Sequence, residues 1–246
     1  MPAKGYSITV RLQGIVLGLL LTLTCFITAF WFSWHGLAQL NFNYSLGYQL
    51  LDISEHIQRY GPANRYRKGF EHTSQAQHDE LFAQIVDAIQ QGGNGLADIQ
   101  YQYPLRNSAT LLREPEVVHL QDVANLITLF NQVAFISALL LLGLLAFYRW
   151  KKQPPPTPQQ IALGTLIVIL LVGLILLVVG PTQAFYWLHT KVFPDDHQWF
   201  FYYQESLMTT LMKAPDLFGF IAALWGLLAL SLFTLMQWLL QLMLKR

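Results

Sequence analysis

Four stretches of this chain contain no Lys, Arg, Asp or Glu: Leu12–Trp34, Val123–Tyr148, Ile161–Leu188 and Leu217–Leu244. Each lacks charge for long enough to supply the roughly 20 helical residues that cross about 30 Å of hydrocarbon. The pattern predicts an all-α membrane protein with four transmembrane helices, 12–34, 123–148, 161–188 and 217–244. Two polar segments separate them, 35–122 and 189–216, read as extracytoplasmic, partly helical and interfacial. Residues 1–246 are expected to form a single integral membrane domain. The first stretch follows Lys4 and Arg11, as a secretory signal would. Its apolar core exceeds the roughly 7–15 residues of a signal, and no Ala-x-Ala site follows, so it is expected to stay as an anchor.

Charge sets the orientation. Lys4, Arg11, Arg149, Lys151, Lys152, Lys245 and Arg246 fall in the N-terminal tail, the connector around Trp150–Gln160 and the C-terminal tip, which hold no acid. All acidic residues lie in segments 35–122 and 189–216. Cationic short loops remain cytoplasmic, so both termini are predicted inside and the acidic segments outside. The run Lys151-Lys152-Gln153-Pro154-Pro155-Pro156-Thr157-Pro158 reads as a stiff spacer.

Within 35–122 one helix is plain. Ser74 and Gln77 make a capping box, Leu81, Phe82, Ile85, Val86 and Ile89 form a stripe, and Gly92-Gly93 ends it. Residues Tyr101 to Arg113 show no period and read as irregular. The segment is too short for a large core of its own and is expected on the membrane surface. Pro115 suits the start of a helix running on into the second span. There Glu116, His119 and Asp122 recur every third residue and share a face. Segment 189–216 is dense in rings, from Phe193 through Trp199 to Tyr203, as suits an interface. Asn125, Asn131 and Gln132 are costly in lipid and are expected to face the bundle.

Composition then narrows the chemistry. Only 12% of residues are charged, and a net charge of +1 gives no sign of a nucleic-acid partner; the lipid membrane is the partner expected. A single cysteine, Cys25, excludes an internal disulfide and a thiolate zinc site. There is no Gly-x-Ser-x-Gly elbow, His-Glu-x-x-His, P-loop or Rossmann glycine pattern, so an enzyme built on this chain would act without a serine or cysteine nucleophile. The topology brings His119 and His189 to the same outer face. A helix N-terminus would favour neutral imidazole at His119 and a helix C-terminus imidazolium at His189, a base paired with an electrophile. His35, His56, His72 and His78 read as incidental. Glu116-x-x-His119 also has metal-ligand spacing.

Several short motifs together resemble the lipoprotein intramolecular transacylases. They are Glu116-Val117-Val118-His119-Leu120-Gln121-Asp122-Val123 leading into the second span, and His189-Thr190-Lys191-Val192-Phe193 with Trp199 after the third. Pro215 to Phe218 at the start of the fourth is a further match. The stretch Ser206–Lys213 has no counterpart in that pattern. The resemblance implies an acyltransferase of the bacterial cytoplasmic (inner) membrane with its site facing outward. It would move an acyl chain from the glyceryl ester of a diacylglyceryl-modified lipoprotein to the α-amino group of its N-terminal cysteine, giving a lyso-form without a cofactor. His119 and His189 would be catalytic, Glu116 or Asp122 would orient His119, Glu205 would orient His189, and Lys191 is a further oxyanion donor. Two alternatives stand beside it. One is a metal-dependent membrane hydrolase with His119, Glu116, His189 and His197 as ligands; the other is a non-catalytic lipid-binding or assembly factor.

Overall fold

The computed structural model of the chain describes residues 8–104, 107–152 and 154–244. Lys4, Gln153, Lys245 and Arg246, which entered the charge and spacer readings, lie outside the described residues, as does the side chain of Arg11. The described helices are α1 (Ile8–Gln39), α2 (Tyr44–Leu50), α3 (Ile53–Tyr60), α4 (Gln75–Gln90), α5 (Glu114–Lys151), α6 (Pro158–Val179), α7 (Pro181–Val192), α8 (Leu207–Met212) and α9 (Asp216–Leu244). The chain divides into two compact units, one from residues up to Ser33, Gln132–Ala184 and Leu227 onward, the other from Trp34–Asn131 and Phe185–Gly226.

The first unit is built from long apolar helix segments. Gln13–Gln39, Glu114–Lys151 and Asp216–Leu244 are long and apolar enough to cross a membrane. The third predicted span, 161–188, is not one continuous helix: Gly180, at φ +85°, interrupts it between α6 and α7. Leu21, Cys25 and Ala29 of α1 pack with Leu141 and Tyr148 of α5, Ile161 of α6, and Phe233 and Leu240 of α9. Small side chains at Cys25 and Ala29 let the backbones approach, since lipid gives helices no hydrophobic reason to associate. Thr24 and Thr28 return their hydroxyls to the carbonyls of Leu20 and Thr24, at 2.8 and 2.7 Å, so neither leaves an orphan donor. Leu19, Leu139 and Leu227 remain exposed, which suits hydrocarbon surroundings.

The second unit has its own core, where the sequence suggested surface-lying stretches. Tyr44, Ile53, Ile57, Phe70, Leu81 and Ile85 from residues 35–122 bury with Leu207 and Leu211 from the distant second segment and with Leu217 at the start of α9. Residues 35–122 supply most of this core, and the second segment completes it. α4 follows its sequence signature, with the Ser74 hydroxyl accepting the Gln77 N–H and the Gly93 N–H returning to the Ala88 carbonyl at 2.8 Å. The Gln77 amide does not close the predicted capping box; it pairs instead with the Gln102 carbonyl and N–H, at 2.9 and 3.1 Å.

The chain is mostly helical rather than all-α. Residues read as irregular form an antiparallel hairpin, β1 (Gln100–Tyr103) with β2 (Asn107–Thr110), in register Tyr101 to Ala109. Four-residue strands are too short for a period to show, and Ala109 is the one apolar residue of β2. In the spans, Asn131 shares a 3.0 Å hydrogen bond with His35 of α1, whereas Asn125 and Gln132 are exposed rather than turned inward.

Gly69 sits at φ +80°, and a Cβ there would lie 2.6 Å from the Tyr103 ring. Gly69→Ala should destabilise the second unit by about 1–3 kcal/mol from backbone strain alone, and more with the displaced ring. Gly92→Ala, at φ +74° in open space, should cost less. Thermal unfolding in detergent compares them; equal losses would refute the packing argument.

Candidate active site

α5 opens with a face that recurs every third residue: Arg113, Glu116, His119 and Asp122. Each meets the second polar segment at a different point. Glu116 is fully buried, and its carboxylate accepts the Arg113 N–H at 2.8 Å, capping the helix from its third position. The same carboxylate lies 3.2 Å from the Arg113 guanidinium. Its other oxygen accepts a short hydrogen bond from the Ser206 hydroxyl. Ser206 in turn accepts the Thr209 N–H at 3.0 Å, so one hydroxyl both caps α8 and ties it to α5. Arg113 lies over the Tyr66 ring at 4.6 Å and faces Phe201 at 5.9 Å.

One turn further on, His119 is buried against Phe193, ring centroids 4.9 Å apart, and Phe201, at 6.1 Å. The His189 ring stands 6.4 Å away. Phe185, Phe193 and Trp199 enclose His189 at 3.8, 5.2 and 5.0 Å. The His189 Nδ1–H donates to the Phe185 carbonyl at 2.8 Å. A carbonyl only accepts, so this bond places the proton on Nδ1 and leaves Nε2 with a free lone pair in the neutral ring. Burial among the rings lowers the His189 pKa below its ordinary value, and the Phe185 bond opposes this. The helix C-terminus was expected to favour imidazolium there; loss of hydration outweighs that dipole. His119 Nδ1 is buried without a hydrogen-bond partner among the described residues.

The remaining expected site residues are placed otherwise. Asp122 bonds His197 Nδ1 at 2.6 Å rather than His119. That hydrogen bond, with the Asp122 and Asp196 charges, raises the His197 pKa. Glu116 serves Ser206 and Arg113, not His119. Glu205 pairs with Arg65 at 2.9 Å, not with His189. Lys191 is exposed near the end of α7. The metal quartet His119, Glu116, His189 and His197 is not gathered: no group of three or more such ligands forms among the described residues. His78 is a core residue, its Nδ1 and Nε2 engaged by Tyr48 and Thr73 at 3.0 and 2.6 Å, and burial holds its pKa down to about 4.

Sequence reasoning missed Arg113, Ser206 and the ring contacts of Phe185 and Phe201. Arg113 extends the spacing of three by one step and was within reach. Ser206 had only its place as a hydroxyl residue before a short apolar run.

Helices long and apolar enough to cross a membrane mark a multi-pass membrane protein, and two of its imidazoles lie against an aromatic wall. The chain belongs to the family of the lipoprotein intramolecular transacylase Lit, which it matches over residues 15–214. It is similar in fold to the membrane integral lipoprotein intramolecular transacylase Lit from Bacillus cereus, solved in meso as a histidine-to-arginine variant. The TM-score is 0.65 at 14% identity, covering 96% of each chain. No curated protein matches the chain.

Removing Glu116 alone strands a buried guanidinium beside its vacated partner. Glu116→Ala should therefore cost about 3–5 kcal/mol. Ser206→Ala should cost about 1–3 kcal/mol. The two losses should be less than additive, because the residues share one bond. Unfolding of the single and double variants measures this, and simple additivity would dismiss the network.

Proposed function

We propose that this chain is an intramolecular transacylase acting on diacylglyceryl-modified bacterial lipoproteins, with His119 and His189 handling the proton. The observation that carries the reading is the 6.4 Å approach of the two imidazoles inside an aromatic enclosure, in a chain of this family. In the proposed arrangement the chain crosses the inner membrane four times, α6 being the third crossing, with both termini cytoplasmic and the histidines toward the outer side. The positive loops support that orientation.

Donor ester and acceptor amine lie on one substrate, so the protein has to align them, exclude water and move one proton. The N-terminal amine, with a pKa of about 8, attacks the glyceryl ester carbonyl in its neutral form. His189 Nε2, bare because Nδ1 is held by the Phe185 carbonyl, takes the proton released as the C–N bond forms. His119 donates a hydrogen bond to the developing oxyanion. As the ester C–O bond breaks, the His189 imidazolium returns its proton to the glyceryl oxygen. The products are an amide and a free hydroxyl on the same molecule, with no water consumed.

The test is mass spectrometry of a model lipoprotein's N-terminal peptide from cells that lack their own N-acylation step. An N-acylated, S-monoacylglyceryl peptide of unchanged total mass should appear with the intact protein. His189→Ala and His119→Ala should each lower its rate by about 10²–10⁴-fold. A diacylglyceryl peptide with a free amine in every sample would refute the proposal. The pH profile follows from the same groups. A base whose pKa is held down keeps its lone pair above 6.5, so His189 should add a second, steeper loss of activity only as pH drops through its lowered value. Activity should also rise toward pH of about 8 as the substrate amine loses its proton.

A further inference from the structure

The stretch from Phe193 to Glu205, between α7 and α8, has no regular secondary structure, yet it supplies three of the rings around the two histidines: Phe193, Trp199 and Phe201. Its backbone has no ladder of helix or strand hydrogen bonds to hold it, so the few polar bonds it makes to other elements decide where it sits. Its ends are fixed. α7 precedes it, and at the far end the Arg65 N–H donates to the Gln204 carbonyl at 2.8 Å while Arg65 pairs with Glu205. The Tyr203 hydroxyl donates to the Ala214 carbonyl at 2.6 Å, and Ser206 bonds Glu116.

Between residues 193 and 202 the polar bond to another element, among the described residues, is His197 Nδ1 to Asp122 at 2.6 Å. His197 sits on a turn closed by its own N–H to the Pro194 carbonyl at 3.1 Å. Asp122 is one helical turn beyond His119 on the same face of α5. The bond therefore fastens the middle of the aromatic stretch beside the buried imidazole that its rings cover. We propose that Asp122 and His197 are positioning residues forming a latch, which holds the aromatic stretch over the two histidines and opens it to a lipid substrate when released.

A neutral His197 with its proton on Nδ1 already donates this bond to Asp122, and protonation of the ring strengthens it. The charged groups around His197 are Asp122 on α5 and Asp196 in its own stretch, and both favour the cation. A raised pKa gives stability that is complete below the ordinary value of 6.5 and lost as pH climbs through the raised one. The aromatic cover should be fastened in mildly acidic conditions and loosened in alkaline ones, where the substrate amine is also deprotonated. The role in catalysis rests on the proposed function; the latch itself does not.

The test separates the two. Amide hydrogen exchange of the full-length protein in detergent reads residues 193–203 directly. At pH 6, Asp122→Asn and His197→Gln should each speed exchange in that stretch by about tenfold while α4 is unchanged. The double variant should match the singles, and Asp122→His combined with His197→Asp should restore protection. The ratio of either single variant to the wild type, taken at each pH to cancel intrinsic exchange, should shrink as pH rises above 6.5, where the bond loses its charge but keeps its donor. Unchanged exchange in both singles would overturn the latch. So would acceleration extending equally into α4, which would mark a general loss of structure. Transacylation of the model lipoprotein is read in parallel. Fast exchange with wild-type activity would remove the latch from catalysis, and a latch intact in a protein without transacylation would refute the proposed function and not the latch.

Discussion

The arrangement around the histidines depends on one buried carboxylate. Glu116 is fully enclosed, and a carboxylate without water needs compensation for nearly every lone pair. It receives it from the Arg113 backbone, the Arg113 guanidinium and the Ser206 hydroxyl. The first two make the start of α5 well defined; the third draws in α8, 90 residues away in sequence. With the helix start fixed, His119 and Asp122 follow by helical geometry one and two turns on. The aromatic stretch that meets them is anchored at its far end by that same Ser206. A substitution that lost the carboxylate would thus loosen both walls of the site.

The sequence was most informative where a local rule acts alone. α4 could be read from a capping serine, a periodic stripe and a glycine pair, because its start, inner face and end each depend on near neighbours. The same holds for the α5 face, where a spacing of three suffices to align Glu116, His119 and Asp122. The pairing of His119 with His189 was legible too, since topology carries both to one end of their helices. What those residues bond was not legible. Asp122 meets His197 across 75 positions, and Glu205 meets Arg65 across 140. Nothing in the local pattern distinguishes these partners from a histidine that is nearer in motif but differently aimed.

Two other departures share a physical cause. The first polar segment read as too short for a large core of its own and was expected on the membrane surface, yet it supplies most of the core of the second unit. Phe70, Leu81 and Ile85 are buried because Leu207 and Leu211 arrive from elsewhere in the chain. The hairpin escaped notice because its second strand, Asn107–Thr110, has no apolar alternation to reveal it. The break at Gly180 was visible as Gly-Pro in the sequence, but the absence of charge from 161 to 188 concealed it.

The bond from His189 to the Phe185 carbonyl has an evolutionary corollary. The acceptor belongs to the backbone, so it is present whatever residue occupies position 185. A different side chain there would reshape the wall beside the ring while the imidazole keeps the same tautomer. The position of the proton on His189 is thus written into the helix backbone, whereas the loss of hydration that lowers its pKa depends on the neighbouring rings, so a change at 185 would move the second without the first.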